Sequence, residues 1–446
     1  MHQKISCDYL VVGAGAMGLA FVDELHRCRP SDTFAIVDRR GQPGGHWNDA
    51  YPYVSLHQPA AFYGVNSLSL GPGGAALASH REILAYYETV LKRLLASGRV
   101  QYFPQHSYTG GGRFESLLTA GATYQAEVSR KIVDSTYMKV EVPSTTPPKY
   151  DVADAVRLVP PNALPRISEP VSRYVVLGAG KTGMDAVLFL RGRGVPAEKI
   201  MWVVSNDAWL LDRDALTPGR TLGWFVKQLE LITGASTLED VFLATEEAKS
   251  FMRIDPSVWP TKFRCATVNR EELATLRSIE NVIRLGRVSS LEPDRIVLAE
   301  GEVAVDGAET LFVDCTANAL AKRERVPIFE GDTLTLQSVF MCQQVFSAAL
   351  LGYVESRPGS DEEKNALCVP VPHPELNLDY LSCMATSNQN FDRWQSLFRW
   401  LRRSRLALPH HESLPQLFKN VLRARKIGPP ALATIERILE AEGAAA

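Results

Sequence analysis

The sequence lacks an excess of charge of either sign. Its 446 residues include 48 basic and 50 acidic side chains, which leave a formal net charge of −2 at neutral pH. A protein without a broad positive field has little to attract nucleic acid or an anionic membrane. We therefore expect a small-molecule partner and no nucleic-acid partner, and the sequence leaves the oligomeric state open.

Cysteine motifs and long apolar runs are also missing. The seven cysteines form no C-x-x-C pair and no zinc-like spacing, so we predict no metal site. This pattern is typical of a reducing cytoplasm and argues against a dithiol relay, so electron transfer is expected to run through cofactors. No run of about 18 apolar residues is present, which argues against a membrane-spanning helix. The length predicts two or three globular domains.

A glycine-rich motif near the start of the chain predicts a dinucleotide site. Residues 8–12 have the pattern of a buried strand, and the chain then continues into G-x-G-x-x-G and an amphipathic helix. Glycines at these places provide a tight turn, room for a pyrophosphate and close packing of the helix on the strand, while the helix N-terminus faces the phosphates. The expected contacts in this motif are Gly13, Gly15, Ala16, Met17 and Gly18.

A second strand is predicted at residues 33–38 and ends in a carboxylate. Asp38 lies twenty residues after Gly18, where an acid is expected to bind the ribose hydroxyls. Arg39 follows it and is included among the expected cofactor contacts. A dinucleotide unit at this position in the chain is typical of the FAD-binding unit of flavoproteins that bind two dinucleotides.

The same pattern recurs after a proline-rich stretch at residues 142–165 that is typical of a connector. Residues 173–177 read as a strand that enters a second G-x-G-x-x-G and a second helix. Two such motifs in one chain predict a second Rossmann unit. The arrangement resembles the FAD-plus-NAD(P) architecture of flavin monooxygenases and disulfide-reductase-like enzymes, and this resemblance implies a nicotinamide dinucleotide at the second motif. The expected contacts in this motif are Gly178, Gly180, Lys181, Thr182 and Gly183.

The end of the next strand bears on the choice between NADPH and NADH. The strand predicted at residues 199–205 ends on Ser205, and Asn206 follows it without an acid at the tip. Arg213 lies further on, so the three side chains are expected contacts for a 2′-phosphate and NADPH is favoured. Asp207 weakens that preference, so NADH stays an alternative.

The segment after the first motif resembles a known family. The run G-Q-P-G-G-H-W at residues 41–47, followed by Y-P at residues 51–52, resembles the G-G-x-W and Y-P stretch of class B flavin-dependent monooxygenases. The resemblance implies that this loop lies along FAD. The contacts that it implies are Gly44, Gly45, His46 and Trp47.

His57, in the loop region that continues from this stretch, is a candidate catalytic and flavin-contacting residue, because imidazole titrates near neutral pH. A hydrogen-bonded loop histidine is the alternative. The strands predicted at 130–136 and 309–317 resemble the family's crossings between cofactor domains, which gives Asp314 and Thr316 as FAD contacts. A strand-end acid satisfied by its own loop is the alternative for Asp314.

One family motif is absent. Class B enzymes carry F-x-G-x-x-x-H-x-x-x-W shortly before the second glycine motif, and residues 158–174 contain neither histidine nor tryptophan. The resemblance is therefore to a divergent member of the superfamily, and it covers roughly residues 5–320.

Together these features predict an α/β fold with two Rossmann-type domains and a helical C-terminal cap. The predicted domains are residues 1–165 for the first part of the FAD domain, 166–312 for the NAD(P) domain, and 313–446 for the FAD-domain completion and the cap.

The resemblance implies an FAD-dependent, NAD(P)H-using monooxygenase that transfers one atom of O2 to a small or medium-sized organic substrate through a flavin C4a-(hydro)peroxide. An FAD-dependent NAD(P)H reductase that transfers electrons without oxygenation is one alternative. A non-catalytic nucleotide-binding protein is the other.

Overall fold

The computed structural model describes residues 2–317, 320 and 323–444. Within them the chain forms a mixed eight-stranded sheet with a parallel centre, a parallel five-stranded sheet, two smaller sheets and a set of helices. The strands are β1 (His2–Val12), β2 (Phe34–Asp38), β3 (Val100–Pro104), β4 (His106–Gly110), β5 (Arg113–Ser116), β6 (Thr123–Asp134), β7 (Asp151–Val152), β8 (Leu158–Val159), β9 (Arg173–Leu177), β10 (Ile200–Val203), β11 (Ala208–Asp212), β12 (Phe251–Met252), β13 (Lys262–Val268), β14 (Val282–Ile283), β15 (Val288–Leu291), β16 (Arg295–Leu298), β17 (Gly301–Ala304), β18 (Thr310–Asp314), β19 (Phe329–Glu330) and β20 (Thr333–Thr335).

The helices alternate with the strands through the first three quarters of the chain and follow one another at its C-terminal end. They are α1 (Ala16–Cys28), α2 (His80–Ala96), α3 (Lys181–Gly192), α4 (Thr221–Thr233), α5 (Leu238–Glu247), α6 (Arg270–Arg277), α7 (Gln344–Ser356), α8 (Asp361–Leu367), α9 (Asn377–Arg393), α10 (Phe398–Arg403) and α11 (Leu414–Ala444).

The first unit is built around the sheet that contains β1. Strand β1 pairs in parallel with β2 on one side and β6 on the other, and β3 and β20 extend the sheet outward. The central residues Leu10 and Val11 are both fully buried, since a parallel sheet is covered on both faces and its strands are apolar throughout. The chain then runs from β1 through a glycine loop into α1, as the sequence predicts.

The second unit repeats this arrangement around β9. Its sheet has the order β14-β10-β9-β18-β8, and every pairing in it is parallel. Strand β9 therefore lies between β10 and β18, as β1 lies between β2 and β6. A smaller sheet of β17, β16, β15 and β7 lies in the same unit.

Strand pairing puts the first crossing between the units earlier in the chain than the predicted boundary at residue 165. Strands β7 and β8 both precede that residue, yet they pair with β15 and β18 of the second unit. At the other end, β18 runs two residues beyond the predicted boundary at residue 312. The proline-rich stretch thus contains strands of the second unit as well as the connection.

The chain after β18 returns to the first sheet and then forms the C-terminal helices. Strand β20 joins the first sheet beside β6, and Gly352 of α7 lies so close to α1 that an added Cβ would be 2.8 Å from the carbonyl oxygen of Phe21. Helix α11 packs on α9 and on α4, where Arg423 of α11 pairs with Glu230 of α4 at 2.7 Å. Residues 445 and 446 of the predicted cap lie outside the described residues. Among the helices described, none is long and apolar enough to cross a bilayer.

Candidate functional site

The first glycine loop forms an open cradle at the N-terminus of α1. Gly13 has a φ of 103°, and its N–H donates to the carbonyl oxygen of Val37 at 2.8 Å. A Cβ on Gly18 would overlap the carbonyl oxygen of Gly13, so only glycine allows the helix this close to the turn. Helix α1 begins after Gly15 without a side-chain cap. The N–H groups of its first turn are therefore available to a phosphate. Ala16 is half-buried and Met17 is buried in this turn.

The loop with the G-G-x-W pattern packs directly on this cradle. Gly44 and Gly45 have φ values of 113° and 59°, which favour glycine. The N–H of Gly44 donates to the carbonyl oxygen of Ala14 at 2.9 Å, and a Cβ on Gly45 would lie 3.0 Å from the Cα of Gly15. The structure therefore brings these two predicted segments together.

Asp38 is close to the first cradle, and backbone N–H groups of neighbouring residues hold its carboxylate. One carboxylate oxygen accepts the N–H of Ala14 at 2.6 Å, and the other accepts the N–H of Arg40 at 2.7 Å. Burial raises the pKa of this carboxyl, and the two N–H donors oppose the rise. Arg39, beside it, is exposed. Asp38 thus fixes the turn where a ribose would lie.

The second cradle has the same construction. Gly178 has a φ of 105°, its N–H donates to the carbonyl oxygen of Val203 at 2.9 Å, and a Cβ on Gly183 would overlap the Gly178 carbonyl oxygen. Helix α3 starts after Gly180, again without a side-chain cap. A Cβ on Gly180 would meet no atom within 4 Å, so this glycine faces open space.

Lys181 and Thr182 open α3 and line the central cavity described below. The Lys181 ammonium forms an ion pair with Asp185 one turn along the helix. Asp185 also accepts the hydroxyl of Tyr51 at 2.6 Å. A residue of the Y-P stretch in the first unit is therefore hydrogen-bonded to the helix that begins at the second cradle.

The strand ends beside the two cradles match each other, and this corrects the expectation for Asp314 and Thr316. Asp314 pairs in register with Leu177 in the second sheet, so Asp314 and Thr316 lie beside the second cradle and not beside the first. One Asp314 oxygen accepts the N–H and hydroxyl of Thr316 at 3.0 and 2.6 Å. The Asp314 side chain is thus a strand-end acid that its own loop satisfies.

The equivalent place at the first cradle belongs to residues 134–136. Asp134 accepts the N–H and hydroxyl of Thr136, both at 2.7 Å. Between them, Ser135 donates its hydroxyl to the carbonyl oxygens of Val12 and Gly13 at 2.6 and 2.8 Å. The D-S-T and D-C-T tripeptides at residues 134–136 and 314–316 were the signal in the sequence for this equivalence.

A cavity of about 1320 Å³ lies between the two units. Cavities that hold one small ligand are typically about 300–1,000 Å³, so this one has room for two ring systems. Its walls bring together predicted residues from both units and others that the sequence did not single out. The predicted residues that line it are His46, Trp47, His57, Gly178, Gly180, Lys181, Thr182, Ser205, Asn206 and Thr316.

His57 lies in the wall of this cavity, and its side chain is open to the interior. Its carbonyl oxygen accepts the hydroxyl of Thr267 from β13, and the next residue, Gln58, accepts the amide N–H of Gln343 at 3.1 Å. The enclosed position lowers the pKa of the imidazole to about 4, and the positive charges of Lys181 and Arg213 lower it further in the same direction. The ring is therefore neutral at physiological pH.

His46 and Trp47 form the adjacent part of the wall. Their ring centroids are 5.3 Å apart, and the Trp47 indole N–H donates to the hydroxyl of Tyr63 at 2.7 Å. Burial lowers the pKa of His46 to about 4, and the nearby Arg40 contributes in the same direction. Both rings are held in place and present apolar or neutral surface to the cavity.

The predicted phosphate contacts are not all at the cavity. Ser205 and Asn206 line it, whereas Arg213 is buried with its guanidinium donating to Glu272 at 2.6 Å. Asp207 is also occupied, because both of its oxygens accept from Arg284, at 2.9 and 3.2 Å. Arg213 therefore has a structural ion pair as its main contact, and Asp207 carries a compensated charge.

Basic side chains from remote segments line the same cavity. We call Lys149, Arg287, Arg323 and Arg325 the basic wall. None of these four forms an ion pair with another residue in the described part of the chain, and the Arg323 guanidinium lies 5.1 Å from the ring centroid of Tyr137. No sequence motif marks them, since only the fold brings them together.

The cavity wall also contains a pair of cysteines that the sequence did not single out. Cys265 and Cys342 are 77 residues apart in the sequence but are joined by a disulfide bond. The spacing of cysteines along the chain cannot reveal such a pair. The other five cysteines are free.

The chain is similar in fold to solved structures over most of its length. An open crystal structure of cyclohexanone monooxygenase has a TM-score of 0.53 at 13% identity, covering 89% of this chain and 98% of that one. Polycyclic ketone monooxygenase from Thermothelomyces thermophila has a TM-score of 0.53 at 12% identity, covering 95% of this chain and 89% of that one. An oxidized steroid monooxygenase bound to NADP has a TM-score of 0.51 at 15% identity, covering 79% of this chain and 85% of that one. The chain thus has the fold of class B flavin monooxygenases, which confirms the resemblance at that level.

Two mycobacterial proteins are much more similar in sequence. The uncharacterized protein Rv2000 of Mycobacterium tuberculosis and the uncharacterized protein Mb2023 of Mycobacterium bovis are each 46% identical to it over 428 residues, covering 91% of this chain and 78% of the relative. The chain belongs to the family of these proteins. No profile of a described protein family matches it.

Proposed function

We propose that this chain is an FAD-dependent, NADPH-using monooxygenase that transfers one oxygen atom of O2 to a small or medium-sized organic substrate. The observation that carries the proposal is the pair of equivalent glycine cradles at the ends of β1 and β9, with one large cavity between their units. When bound, FAD and the nicotinamide supply hydride transfer and oxygen activation, and the protein supplies their positions. We also propose a cytoplasmic location, because five of the seven cysteines are free thiols.

The first cradle fits FAD. Gly13, Gly15 and Gly18 leave the start of α1 open to a pyrophosphate, and the turn at Gly44 and Gly45 lies against them. From there the chain continues to His46, Trp47 and His57 in the cavity wall. A dinucleotide with its phosphates at the cradle would therefore have its flavin ring directed along this loop.

The second cradle and the basic wall fit NADPH. Gly180 faces open space at the start of α3, and Lys181 and Thr182 lie beside it. Ser205 and Asn206 follow β10, where a dinucleotide's adenosine ribose is bound in Rossmann units. Because the basic wall forms no ion pair with the described residues, it has charge available for phosphate groups.

The remaining cavity residues exclude water and orient a substrate. The Trp47 and Tyr63 rings are fixed by their mutual hydrogen bond, which keeps an apolar surface beside the proposed flavin position. The neutral His57 ring can accept or donate a hydrogen bond without bringing a charge into the cavity. Solved proteins of the same fold include monooxygenases of cyclic ketones and a steroid monooxygenase bound to NADP, which supports both NADPH and oxygen transfer here.

The test begins with anaerobic mixing of the purified yellow protein with NADPH and with NADH. We expect NADPH to bleach the flavin absorbance faster. The reduced protein is then mixed with labelled O2 and a panel of amines, thioethers and ketones, and the products are analysed by mass spectrometry. Label in a product supports the monooxygenase. Bleaching without label in any product supports the reductase, and a flavin that neither nucleotide bleaches supports a nucleotide-binding protein.

We expect Arg287→Ala to weaken the binding of NADPH more than the binding of NADH. Arg287 is exposed at the cavity edge and has no ion pair among the described residues, so its charge is free for a 2′-phosphate. Loss of one charge-assisted contact of about 1.5–3 kcal/mol predicts a roughly tenfold or larger rise in KM for NADPH and little change for NADH. The measurement is the initial rate of flavin reduction against the concentration of each nucleotide.

Arg287→Lys and Arg193→Ala are the controls for this prediction. The lysine keeps the charge, so it should retain most of the preference. Arg193 is exposed in the same unit at the end of α3 and does not line the cavity. Its replacement by alanine should therefore leave the KM for NADPH and the KM for NADH unchanged. An equal effect of Arg287→Ala on NADPH and NADH would argue against a role in 2′-phosphate binding.

A further inference from the structure

The disulfide between Cys265 and Cys342 joins two segments at the cavity that are far apart in the sequence. Cys265 lies in β13, in the segment between β10 and β14, and Cys342 lies two residues before α7, which packs on α1 of the first unit. Their Cα atoms are 6.9 Å apart, and both residues line the cavity. Cys342 is only half-buried and lies in the cavity wall, where a small reagent can approach it.

Both ends of the disulfide hold the loop that carries His57. Thr267, two residues after Cys265, donates its hydroxyl to the His57 carbonyl oxygen. Gln343, the residue after Cys342, donates to the Gln58 side chain at 3.1 Å. The disulfide therefore joins two segments that are each hydrogen-bonded to the same loop, one at His57 and the other at Gln58.

The backbone on both sides of the disulfide is in the left-handed region. Cys265 has a φ of 55° and Met341 a φ of 43°, where residues with a Cβ are uncommon and strained. Near Cys265 the pairing of β13 with β11 is irregular, with a shift of register between Trp209 and Leu211. Such conformations persist only while the surroundings hold them, so opening the cross-link would allow both segments to relax.

We propose that Cys265 and Cys342 form a reversible disulfide that fixes the loop at His57 and Gln58, and that its reduction releases this loop. A small dithiol reductant attacks one sulfur, the S–S bond breaks, and the two cysteines take up two electrons and two protons while the reductant becomes a cyclic disulfide. In the reverse direction hydrogen peroxide oxidises the two thiols, the S–S bond forms and two waters are released. The importance of His57 rests on the proposed function, whereas the state of the cysteines does not.

The first measurement counts free thiols by alkylation of the denatured full-length protein and intact mass. After peroxide treatment we expect five of the seven cysteines to be alkylated, and after dithiothreitol all seven. In Cys265→Ser the count should not change with treatment, because Cys342 has lost its partner. Cys28→Ser, which removes a half-buried free cysteine elsewhere, should lower the count by one in both states. Seven alkylated cysteines in the oxidised wild type would overturn the disulfide.

The second measurement follows hydrogen exchange at residues 55–60 by mass spectrometry. Reduction of the wild type should speed exchange there by about tenfold, since local opening sets the rate, and Cys28→Ser should behave in the same way. The double variant Cys265→Ser/Cys342→Ser should exchange at the reduced rate whatever the treatment. Equal exchange in oxidised and reduced wild type would overturn the release of the loop. FAD content and bleaching by NADPH, measured on the same samples, test the proposed function separately.

Discussion

Gly15→Ala is expected to lose FAD and to keep its fold. The φ of Gly15 is −77°, which alanine accepts, and the new Cβ would lie 3.7 Å from the Cα of Gly45, an ordinary contact. The added methyl group would nevertheless occupy the space in which a pyrophosphate approaches the start of α1. We expect FAD affinity to fall at least tenfold, or about 1.4 kcal/mol. The flavin-to-protein ratio after gel filtration measures this loss.

Gly180→Ala is expected to have the complementary defect. Its φ is −71°, and a Cβ there meets no atom of the protein within 4 Å. The variant should therefore fold and retain FAD, but the methyl group would meet the NADPH phosphates. We expect the concentration of NADPH that gives half-maximal flavin reduction to rise at least roughly tenfold. Stopped-flow reduction measures it.

Gly192→Ala is the matched control, because it lies at the other end of the same helix and also meets no atom within 4 Å. It should bind FAD and NADPH as the wild type does. Gly18 and Gly183 are unsuitable for this test, because a Cβ on either would overlap a carbonyl oxygen of its own cradle. Loss of cofactor binding could then not be separated from loss of the fold. If Gly15→Ala kept its flavin, or Gly180→Ala were reduced at wild-type NADPH concentrations, the corresponding cradle would not be the proposed site.

The framework of both units was predictable because it depends on local patterns. A buried strand, three spaced glycines and an amphipathic helix determine a cradle within about twenty residues, and the two copies at Gly13 and Gly178 fold alike. The domain limits were less predictable, because β7 and β8 are only two residues long and lie in a proline-rich stretch. Their membership in the second unit is decided by pairing with strands more than a hundred residues later.

The cavity was predictable only in part, for the same reason. Trp47 and His57 were identified through a local resemblance, and Ser205 and Asn206 through their place after a strand. Arg213 occupies a position in the sequence that suggests a phosphate contact, but the folded chain gives it Glu272 as a partner. The basic wall and the Cys265–Cys342 bond depend on segments that meet only in the tertiary structure, so no spacing in the sequence could indicate them.

Replacement of His57 by phenylalanine is expected to lower oxygen transfer by about a hundredfold, the lower end of what the loss of one positioned hydrogen-bonding group costs. Flavin reduction by NADPH should remain within a few-fold of wild type, because the second cradle is untouched. Hydrogen peroxide released per NADPH consumed should rise as oxygen transfer fails. His57→Gln keeps a hydrogen-bonding group and should recover part of the loss. If phenylalanine were tolerated as well as glutamine, the side chain would serve only packing.

The pH dependence distinguishes a neutral His57 from a charged one. Its pKa is lowered to about 4 by the enclosed position, with Lys181 and Arg213 contributing. A histidine with a lowered pKa is neutral at every pH well above that value, so the charge of His57 stays constant between pH 5.5 and 8. The rate of oxygen transfer plotted against pH should therefore show no inflection near pH 6.5 that belongs to His57. The wild type and His57→Gln should have profiles of the same shape in this range. An inflection present in the wild type and absent in that variant would mean that His57 titrates in this range. His57 would then act as a protonated imidazolium and not as a neutral hydrogen-bonding ring.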